Sequence, residues 1–219
     1  MFDGHVTGKE AGRGMLPTSS YDFSNVGSRG SSMRNVILSV QVSLDGFIAR
    51  PNGELDWHLV DAEFNEYAKN LLNSFDTLVF GRVTYQVMAD YWPTATPTDP
   101  VEALIRERLN TLPKVVFSRT LKRVDWKNSR LAQGGIAEEI LKMKQQPGKD
   151  IGIGGTSIVS ALAPLGLIDE YRILVVPVVL GSGKPLFKDI KDKINLKLRK
   201  TRTFDSGLVL LAYQPEKKS

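Results

Sequence analysis

The chain of 219 residues contains no cysteine and only two histidines, His5 and His58. The absence of cysteine excludes disulfides, thiolate catalysis and cysteine-ligated metal sites, and the scarcity of histidine excludes a histidine-rich metal centre. No apolar run approaches the roughly 20 residues that a membrane-spanning helix needs. The first thirty residues lack the apolar core of a secretory signal. We therefore expect a metal-free cytoplasmic protein that does not enter a membrane.

The net charge of +5 suits an anionic cofactor as well as it suits nucleic acid. The densest basic stretch, residues 184–202, also contains Asp189 and Asp192, and its only nearby aromatic residues are Phe187 and Phe204. Nucleic-acid surfaces interleave basic residues with aromatic ones more densely than this. We interpret the stretch as a solvated face and expect no nucleic-acid partner.

Residues 1–32 differ in composition from the rest of the chain. They are rich in glycine, serine and threonine, and they show neither a helical nor a strand period. We interpret them as a leader, a tag or a mis-called start that is not part of the fold. Residues 33–219 are then expected to form one domain, since their length suits a single core.

From Met33 onward, strand-like and helix-like segments alternate. Runs of branched aliphatic residues predict strands at 35–42, 76–80, 114–117, 150–153, 170–179, 196–204 and 208–213. Apolar residues spaced by three and four predict helices at 62–75, 83–91, 100–109, 136–144 and 156–165. This order predicts an α/β fold with a mostly parallel sheet, and Asp205-Ser206-Gly207 predicts a terminal antiparallel hairpin.

The strand at 76–80 ends in a sequence that suits a phosphate group. Gly81 permits a tight turn, and Arg82 and Thr84 add a charge and a hydroxyl. In open parallel sheets, ligands bind beyond the carboxyl ends of the strands, where helix N-termini offer N–H donors. The segment predicts a contact to a pyrophosphate or ribose phosphate. A plain turn followed by a surface arginine is the alternative.

Two later strand ends show similar features. Ser118 and Arg119 could hold the 2′-phosphate that distinguishes NADPH from NADH, or could belong to an ordinary polar loop. Gly154 and Gly155 precede a helix and predict a close approach of a ligand to the backbone, or a tight turn without a ligand. Three such turns in one sheet favour a dinucleotide, because a dinucleotide carries several phosphates.

The order of these motifs resembles the dihydrofolate-reductase-like superfamily. Within it, the similarity is to stand-alone members of the RibD C-terminal domain family, the reductase domain of riboflavin biosynthesis. It runs from Met33 to about Pro215. The matching segments are Ser43-Leu44-Asp45-Gly46-Phe47-Ile48-Ala49, Gly81-Arg82-Val83-Thr84-Tyr85, Ser118-Arg119, Ile153-Gly154-Gly155 and residues 177–187. The resemblance implies a three-layer α/β/α fold and a homodimer.

The same resemblance implies NADPH as the cofactor. The backbone around Gln41 and Ile48 would hold the nicotinamide carboxamide. In the family, the adenosine end is held by the turn that begins at Gly81 and by the loop after the strand at 114–117. The pyrophosphate is held by the turn that begins at Ile153. The residues at these positions are Arg82, Val83, Thr84, Ser118 and Arg119 for the adenosine end, and Gly154, Gly155, Thr156 and Ser157 for the pyrophosphate.

The chain departs from dihydrofolate reductases on the substrate side. Those enzymes carry a substrate-binding carboxylate a few residues after a tryptophan, whereas Trp57 is followed by Asp61 and Glu63 at a shifted spacing. Asp45, Asp61 and Glu63 are candidates for proton relay or substrate orientation, with Trp57 beside them. The structural alternatives are a helix cap for Asp61, a helix-dipole contact for Glu63, a turn at Asp45 and a core aromatic at Trp57.

We therefore expect an NADPH-dependent reductase of a small heterocyclic or carbonyl/imine substrate, similar to a pterin or a diaminopyrimidine. The spacing after Trp57 makes dihydrofolate itself a poor first candidate. The rival hypothesis is a regulatory or interaction protein that binds NADPH without turnover.

Overall fold

The computed structural model describes residues 33–216. The predicted leader, residues 1–32, lies outside the described residues, and so does the end of the chain from 217. The strands are β1 (Val36–Ser43), β2 (Phe47–Ala49), β3 (Phe75–Gly81), β4 (Lys114–Phe117), β5 (Ser129–Leu131), β6 (Asp150–Gly154), β7 (Glu170–Val176), β8 (Lys184–Pro185), β9 (Leu196–Thr203) and β10 (Val209–Pro215). The helices are α1 (Ala62–Ser74), α2 (Arg82–Tyr91), α3 (Pro100–Thr111), α4 (Ile136–Gln145) and α5 (Thr156–Leu162), the last continued by a 3-10 turn at Ala163–Leu165.

Eight strands form one sheet in the order β5-β4-β3-β6-β1-β7-β10-β9. The pairs from β5 to β7 are parallel, and β10 pairs antiparallel with both β7 and β9. The predicted α/β fold with a mostly parallel sheet and a terminal antiparallel hairpin is confirmed. None of the helices in residues 33–216 is long and apolar enough to cross a membrane.

The sheet separates two layers of helices, as the alternation of side chains along β1 shows. Ile37 packs with residues of α1, α2 and α3, whereas its neighbours Val36 and Leu38 pack with residues of α4 and α5. Successive residues of a strand point to opposite faces, so these contacts place the two groups of helices on opposite sides. A further cluster joins α1 to β7 and β10 through Tyr67, Leu174 and Leu210. The predicted three-layer arrangement is thus confirmed.

The pattern-based prediction misses three very short strands and overextends one long strand. β2, β5 and β8 have only two or three residues each, too few to show a period. β7 ends at Val176 rather than at 179. Pro177 follows, and proline has no N–H to donate to a neighbouring strand. The chain then turns back, with the N–H of Val178 donating to the carbonyl of Val176 at 2.7 Å.

Candidate functional site

A gap opens between β1 and β6 at the carboxyl edge of the sheet. β6 pairs with β1 only as far as Leu38, which lies opposite Ile153. On its other side, β1 stays paired with β7 up to Ser43. The last residues of β1 therefore extend beyond β6 without a strand partner on that side, among the strands that the structure describes. This leaves a stretch of β1 backbone without a strand neighbour on that side, at the edge where ligands of open α/β sheets bind.

The helices that follow β1 and β6 lie on opposite faces of the sheet. The helix that follows β1 is α1, and it packs on the face of α2 and α3. The helix that follows β6 is α5, and it packs on the opposite face with α4. Adjacent parallel strands whose following helices diverge leave a crevice between their carboxyl ends. The predicted glycine turn at Gly154-Gly155 borders this crevice, and the turn at Gly81 lies one strand further away, since β3 is on the other side of β6.

These two glycine turns interlock. A Cβ atom added to Gly81 would overlap the hydroxyl of Ser157, and one added to Gly155 would overlap the hydroxyl of Thr84. Gly155 also has a φ of 97°, which side chains rarely allow. Gly154 has more room, because its Cβ would lie 3.6 Å from the Phe80 ring. The contact between the turns therefore accounts for two of the glycines without any ligand.

A cleft of about 460 Å³ lies beside the interlocked turns. It falls within the range of small-ligand sites. It brings the end of β4 against the first turn of α5 and the loop before α4. Its lining consists of Phe117, Ser118, Arg119, Ala132, Gly134, Ile136, Ser157, Ile158 and Ala161. Apolar walls thus meet a guanidinium and two hydroxyls, a combination that suits a ribose or base with an attached phosphate.

Two of the residues that the sequence assigns to the adenosine end, Ser118 and Arg119, line this cleft, whereas Arg82, Val83 and Thr84 lie on α2 and do not line it. Arg119 is exposed at the cleft, and Ser118 Oγ accepts the N–H of Leu121 at 2.9 Å, which shapes the turn that carries Arg119. Arg82 is exposed on α2, where its Nη1 donates to Gln86 Oε1 at 2.9 Å. Val83 is 51% exposed and points away from the core. Neither arginine is paired with a carboxylate among residues 33–216, so both guanidiniums can meet an anion.

The pyrophosphate candidates divide into core and surface groups. Ile153 is buried and packs in the apolar layer. The hydroxyl of Thr156 donates to the carbonyl of Pro185 at 3.0 Å, which fastens β8 to α5. Ser157 is the member of this set that lines the cleft. The side chains of Ile153 and Thr156 therefore have structural contacts, and their contribution to a ligand would come through the backbone.

Gln41 and Ile48 lie near the gap beside β1. The Gln41 side chain is buried and makes two bonds with Leu59, donating to its carbonyl at 2.8 Å and accepting its N–H at 3.0 Å. It fixes the loop before α1 against the sheet. Ile48 lies in β2, and its backbone bonds the imidazole of His58. The predicted contact of these two backbones with a carboxamide stays a prediction.

Asp45 joins two loops at the carboxyl edge of the sheet. Its carboxylate accepts the N–H groups of Leu180 and Gly181, at 3.2 and 2.7 Å. A hydrogen bond from the Ser43 hydroxyl, followed by these two backbone bonds, lowers its pKa. Asp45 is therefore held as a carboxylate that ties the loop after β1 to the loop after β7. Its part in proton transfer stays a prediction.

Trp57 is a core aromatic, 8% exposed, that packs with Leu174 and Phe204. Its indole Nε1 is buried without a hydrogen-bond partner in the described part of the chain, and so is Nε2 of His58. The two rings meet edge to face with centroids 4.6 Å apart. Burial lowers the pKa of His58, against the opposing effect of its bond to the Ile48 backbone. His58 is thus held as a neutral imidazole.

Asp61 and Glu63 both have structural contacts at the start of α1. Asp61 Oδ1 accepts the N–H of Phe64 at 2.7 Å, the bond of a helix N-cap, and this bond is the main cause of its lowered pKa. Glu63 forms an ion pair with Arg202 and accepts the N–H of Asp205 at 2.9 Å. The cap stabilises the start of α1, and the two contacts of Glu63 join that start to the β9–β10 hairpin.

The loop before α4 lines the cleft but is absent from the sequence-based candidates. Ala132 and Gly134 of this loop, and Ile136 at the start of α4, follow β5, a strand of three residues that the pattern does not reveal. The available signal was the pair Gly134-Gly135 directly before a predicted helix. It matches the glycine–helix part of the arrangement used for the other two turns.

The chain belongs to the RibD C-terminal domain family, whose model matches residues 34–210. The predicted resemblance is confirmed. The chain is also 41% identical over 181 residues to the uncharacterized protein YyaP of Bacillus subtilis (strain 168), a match that covers 82% of this chain and 94% of YyaP.

Solved structures share the fold at low sequence identity. A putative riboflavin biosynthesis protein from Shewanella sp. PV-4 superposes with a TM-score of 0.67 at 24% identity, covering 84% of this chain and 100% of that one. Dihydrofolate reductase from Enterococcus faecalis, solved with NADP(H) and RAB-propyl, superposes with a TM-score of 0.58 at 16% identity, covering 85% and 99%. These similarities establish the dihydrofolate-reductase-like fold.

Proposed function

We propose that this protein is an NADPH-dependent reductase of a small heterocyclic or carbonyl/imine molecule, of the pterin or diaminopyrimidine kind. The observation that carries the proposal is the cleft beside the interlocked turns. There, Ser118, Arg119 and Ser157 line a space at the carboxyl edge of the sheet, and the gap between β1 and β6 lies along the same edge, beyond β3 and β6. One end of this region offers charge and hydroxyls, and the other offers strand backbone. An elongated dinucleotide needs both.

The residues present fit a phosphorylated dinucleotide. Arg119 and Ser118 would hold the 2′-phosphate, and the apolar walls formed by Ile136 and Ile158 would cover the adenine. The backbone of Gly154 and Gly155 would face the pyrophosphate. The free end of β1 would orient the nicotinamide ring beside the loops that Asp45 joins. Bound NADPH would supply a hydride to the substrate.

One observation favours the rival hypothesis of binding without turnover. The three candidate proton-relay carboxylates, those of Asp45, Asp61 and Glu63, all have protein partners, and interactions with those partners lower the pKa of each. A carboxylate with a low pKa is a poor proton donor near neutral pH. If the protein is a reductase, we therefore expect the proton to come from water or from another group beside the bound substrate.

The deciding experiment is a titration of the full chain with NADPH and, separately, with NADH, followed by nicotinamide fluorescence and thermal shift. Micromolar binding with a preference for NADPH is expected. Substituting both Arg82→Ala and Arg119→Ala should weaken NADPH binding far more than NADH binding, because charge-assisted bonds to a phosphate are among the stronger polar contacts. Equal weakening of NADPH and NADH binding would remove the reason for naming NADPH as the cofactor.

A charge-matched control is available on β9. Lys197→Ala with Arg199→Ala removes two exposed cations from the sheet edge opposite β5. This variant should bind NADPH like the wild type, so a general loss of positive charge can be separated from loss of the site. Oxidation of NADPH in the presence of pterins, pyrimidines or quinones would then separate turnover from binding alone.

A further inference from the structure

One face of the sheet lacks a helix at its β9 end. On the side of α1, Leu174 and Leu210 are buried and pack with Tyr67. On the other side, α4 and α5 pack with buried residues of β1, β3, β4 and β6. Of the last three strands of the sheet, β7, β10 and β9, only β7 has a buried residue on that side, Tyr171. Among residues 33–216, no helix therefore covers β10 and β9 there.

The uncovered surface is apolar, and we call it the open face. Strand register places its members side by side, with Leu211 of the middle strand opposite Ile173 of β7. Phe187, which is 46% exposed, extends its margin, because its ring lies 6.3 Å from that of Tyr171. All members of the open face are partly or largely exposed, and they are Ile173, Val175, Leu198, Val209, Leu211 and Tyr213. Three of them pack against none of the apolar clusters of residues 33–216, namely Leu198, Val209 and Leu211.

The positive charges of β9 lie on the other side of the strand. Lys197, Lys200 and Arg202 lie opposite residues of β10 that face α1, and Arg202 forms its ion pair with α1 itself. Arg199 lies at the bulge in the strand, and its Nε donates to Gln214 on that same side at 2.8 Å. On the open face, by contrast, β9 presents the uncharged residues Leu198, Thr201 and Thr203. The densest basic stretch of the sequence thus has one side free of charge.

A partner for the open face has to be flat and uncharged, and a second copy of the chain meets both conditions. The chain has a net charge of +5, so two copies repel each other where their cations meet. Contact between two open faces avoids this repulsion, because it brings no charged side chains of the strands together. Pairing of two β9 edges would instead set the cations of one strand against those of the other, and like charges directly opposite each other are destabilising.

We propose that the open face binds the open face of a second copy of this chain across a twofold axis. Such an interface is self-complementary, because each copy contributes the same surface. Two sheets packed in this way lie about 10 Å apart, with strand directions within about 30° of each other. Leu211 then becomes buried near the centre, since β10 is the middle strand of the three. The proposal depends on this surface alone and not on cofactor binding.

The test measures the molar mass of the full chain by sedimentation equilibrium over a range of micromolar concentrations. A dimer is expected. Leu211→Lys should weaken dimerisation by at least about 10-fold, because it places an ammonium group in an apolar interface and opposite its own copy. Leu198→Lys probes the same face at a position that is already 48% exposed, so the fold should tolerate this change. Circular dichroism and thermal melting check that each variant is folded.

Val87→Lys is the matched control, because Val87 is 47% exposed on α2, which packs on the opposite face of the sheet. This variant should dimerise like the wild type. High salt should leave the dimer intact, since it screens the repulsion between copies and finds no charge in the interface to weaken.

Four outcomes would overturn the proposal. They are a monomeric wild type, a dimer that survives both Leu211→Lys and Leu198→Lys, an equal loss in Val87→Lys, and dissociation by salt. A wild type that dimerises only after removal of residues 1–32 would assign the open face to that segment instead. None of these outcomes depends on NADPH binding, so failure here is distinct from failure of the reductase proposal.

Discussion

The hydroxyl of Thr84 would overlap a Cβ atom at residue 155, so the β6–α5 turn favours glycine there. Thr84 lies in the first turn of α2, and Gly155 directly precedes α5. The two helices pack on opposite faces of the sheet, yet their first turns meet at its carboxyl edge. This contact sets the spacing of the backbone that would face a pyrophosphate.

Gly155→Ala is expected to destabilise the fold and to remain destabilising when Thr84→Ala is added. The added methyl would meet the Thr84 hydroxyl, and a φ of 97° strains any residue that has a side chain. Residues held in such conformations cost about 1–3 kcal/mol. Chemical denaturation of both variants measures the loss. Full recovery in the double variant would show that the clash, and not the backbone, makes glycine necessary.

Gly81→Ala should behave differently, because Gly81 has an ordinary φ of −77°. Its obstacle is the Ser157 hydroxyl alone. We expect the single variant to lose stability and Gly81→Ala with Ser157→Ala to recover most of it, a coupling that a double-mutant cycle measures directly. Ser157→Ala by itself serves as the control. Additive effects of the two changes would mean that the turns do not interlock as described.

Variants of Asp61 separate a helix cap from a proton donor. Asp61→Ala removes the bond to the N–H of Phe64 and should lower the free energy of unfolding by about 1 kcal/mol. Asp61→Asn keeps an acceptor at the same place and should be close to wild type in stability. If NADPH oxidation is found, an Asn variant that is stable but inactive would assign Asp61 to proton transfer. Equal activity would leave it as a cap.

His58 should make the fold sensitive to mild acid. Burial lowers its pKa from the ordinary value of 6.5, so the unfolded chain takes up a proton at higher pH than the folded one does. Unfolded chains then bind more protons as the pH falls below about 7, and stability drops. We expect the melting temperature to fall more steeply from pH 7 to pH 5 for the wild type than for His58→Gln. Parallel curves would mean that His58 is not held neutral.

The location of most elements could be predicted from local patterns. The buried strand at Lys114–Phe117 was predicted with its observed ends, and the helix cap at Asp61 was anticipated as one of two alternatives. Both depend on residues adjacent in the chain, where a run of apolar side chains or a carboxylate before a helix has a direct local effect. The family resemblance rests on the same short segments.

Other features depend on residues far apart in the chain, and only the tertiary structure decided them. Examples are the ion pair of Glu63 with Arg202, the fit of Thr84 against Gly155, and the short strand β5. The burial of Lys114, whose Nζ donates to the carbonyls of Leu112 and Lys127, is another. Such contacts depend on strand order and on which helix covers which face. The amino-acid sequence by itself determined the sequence of strands, helices and turns, and the packing of the sheet determined which turns became neighbours. Side-chain periodicity records only whether a face is buried, not which distant residue covers it.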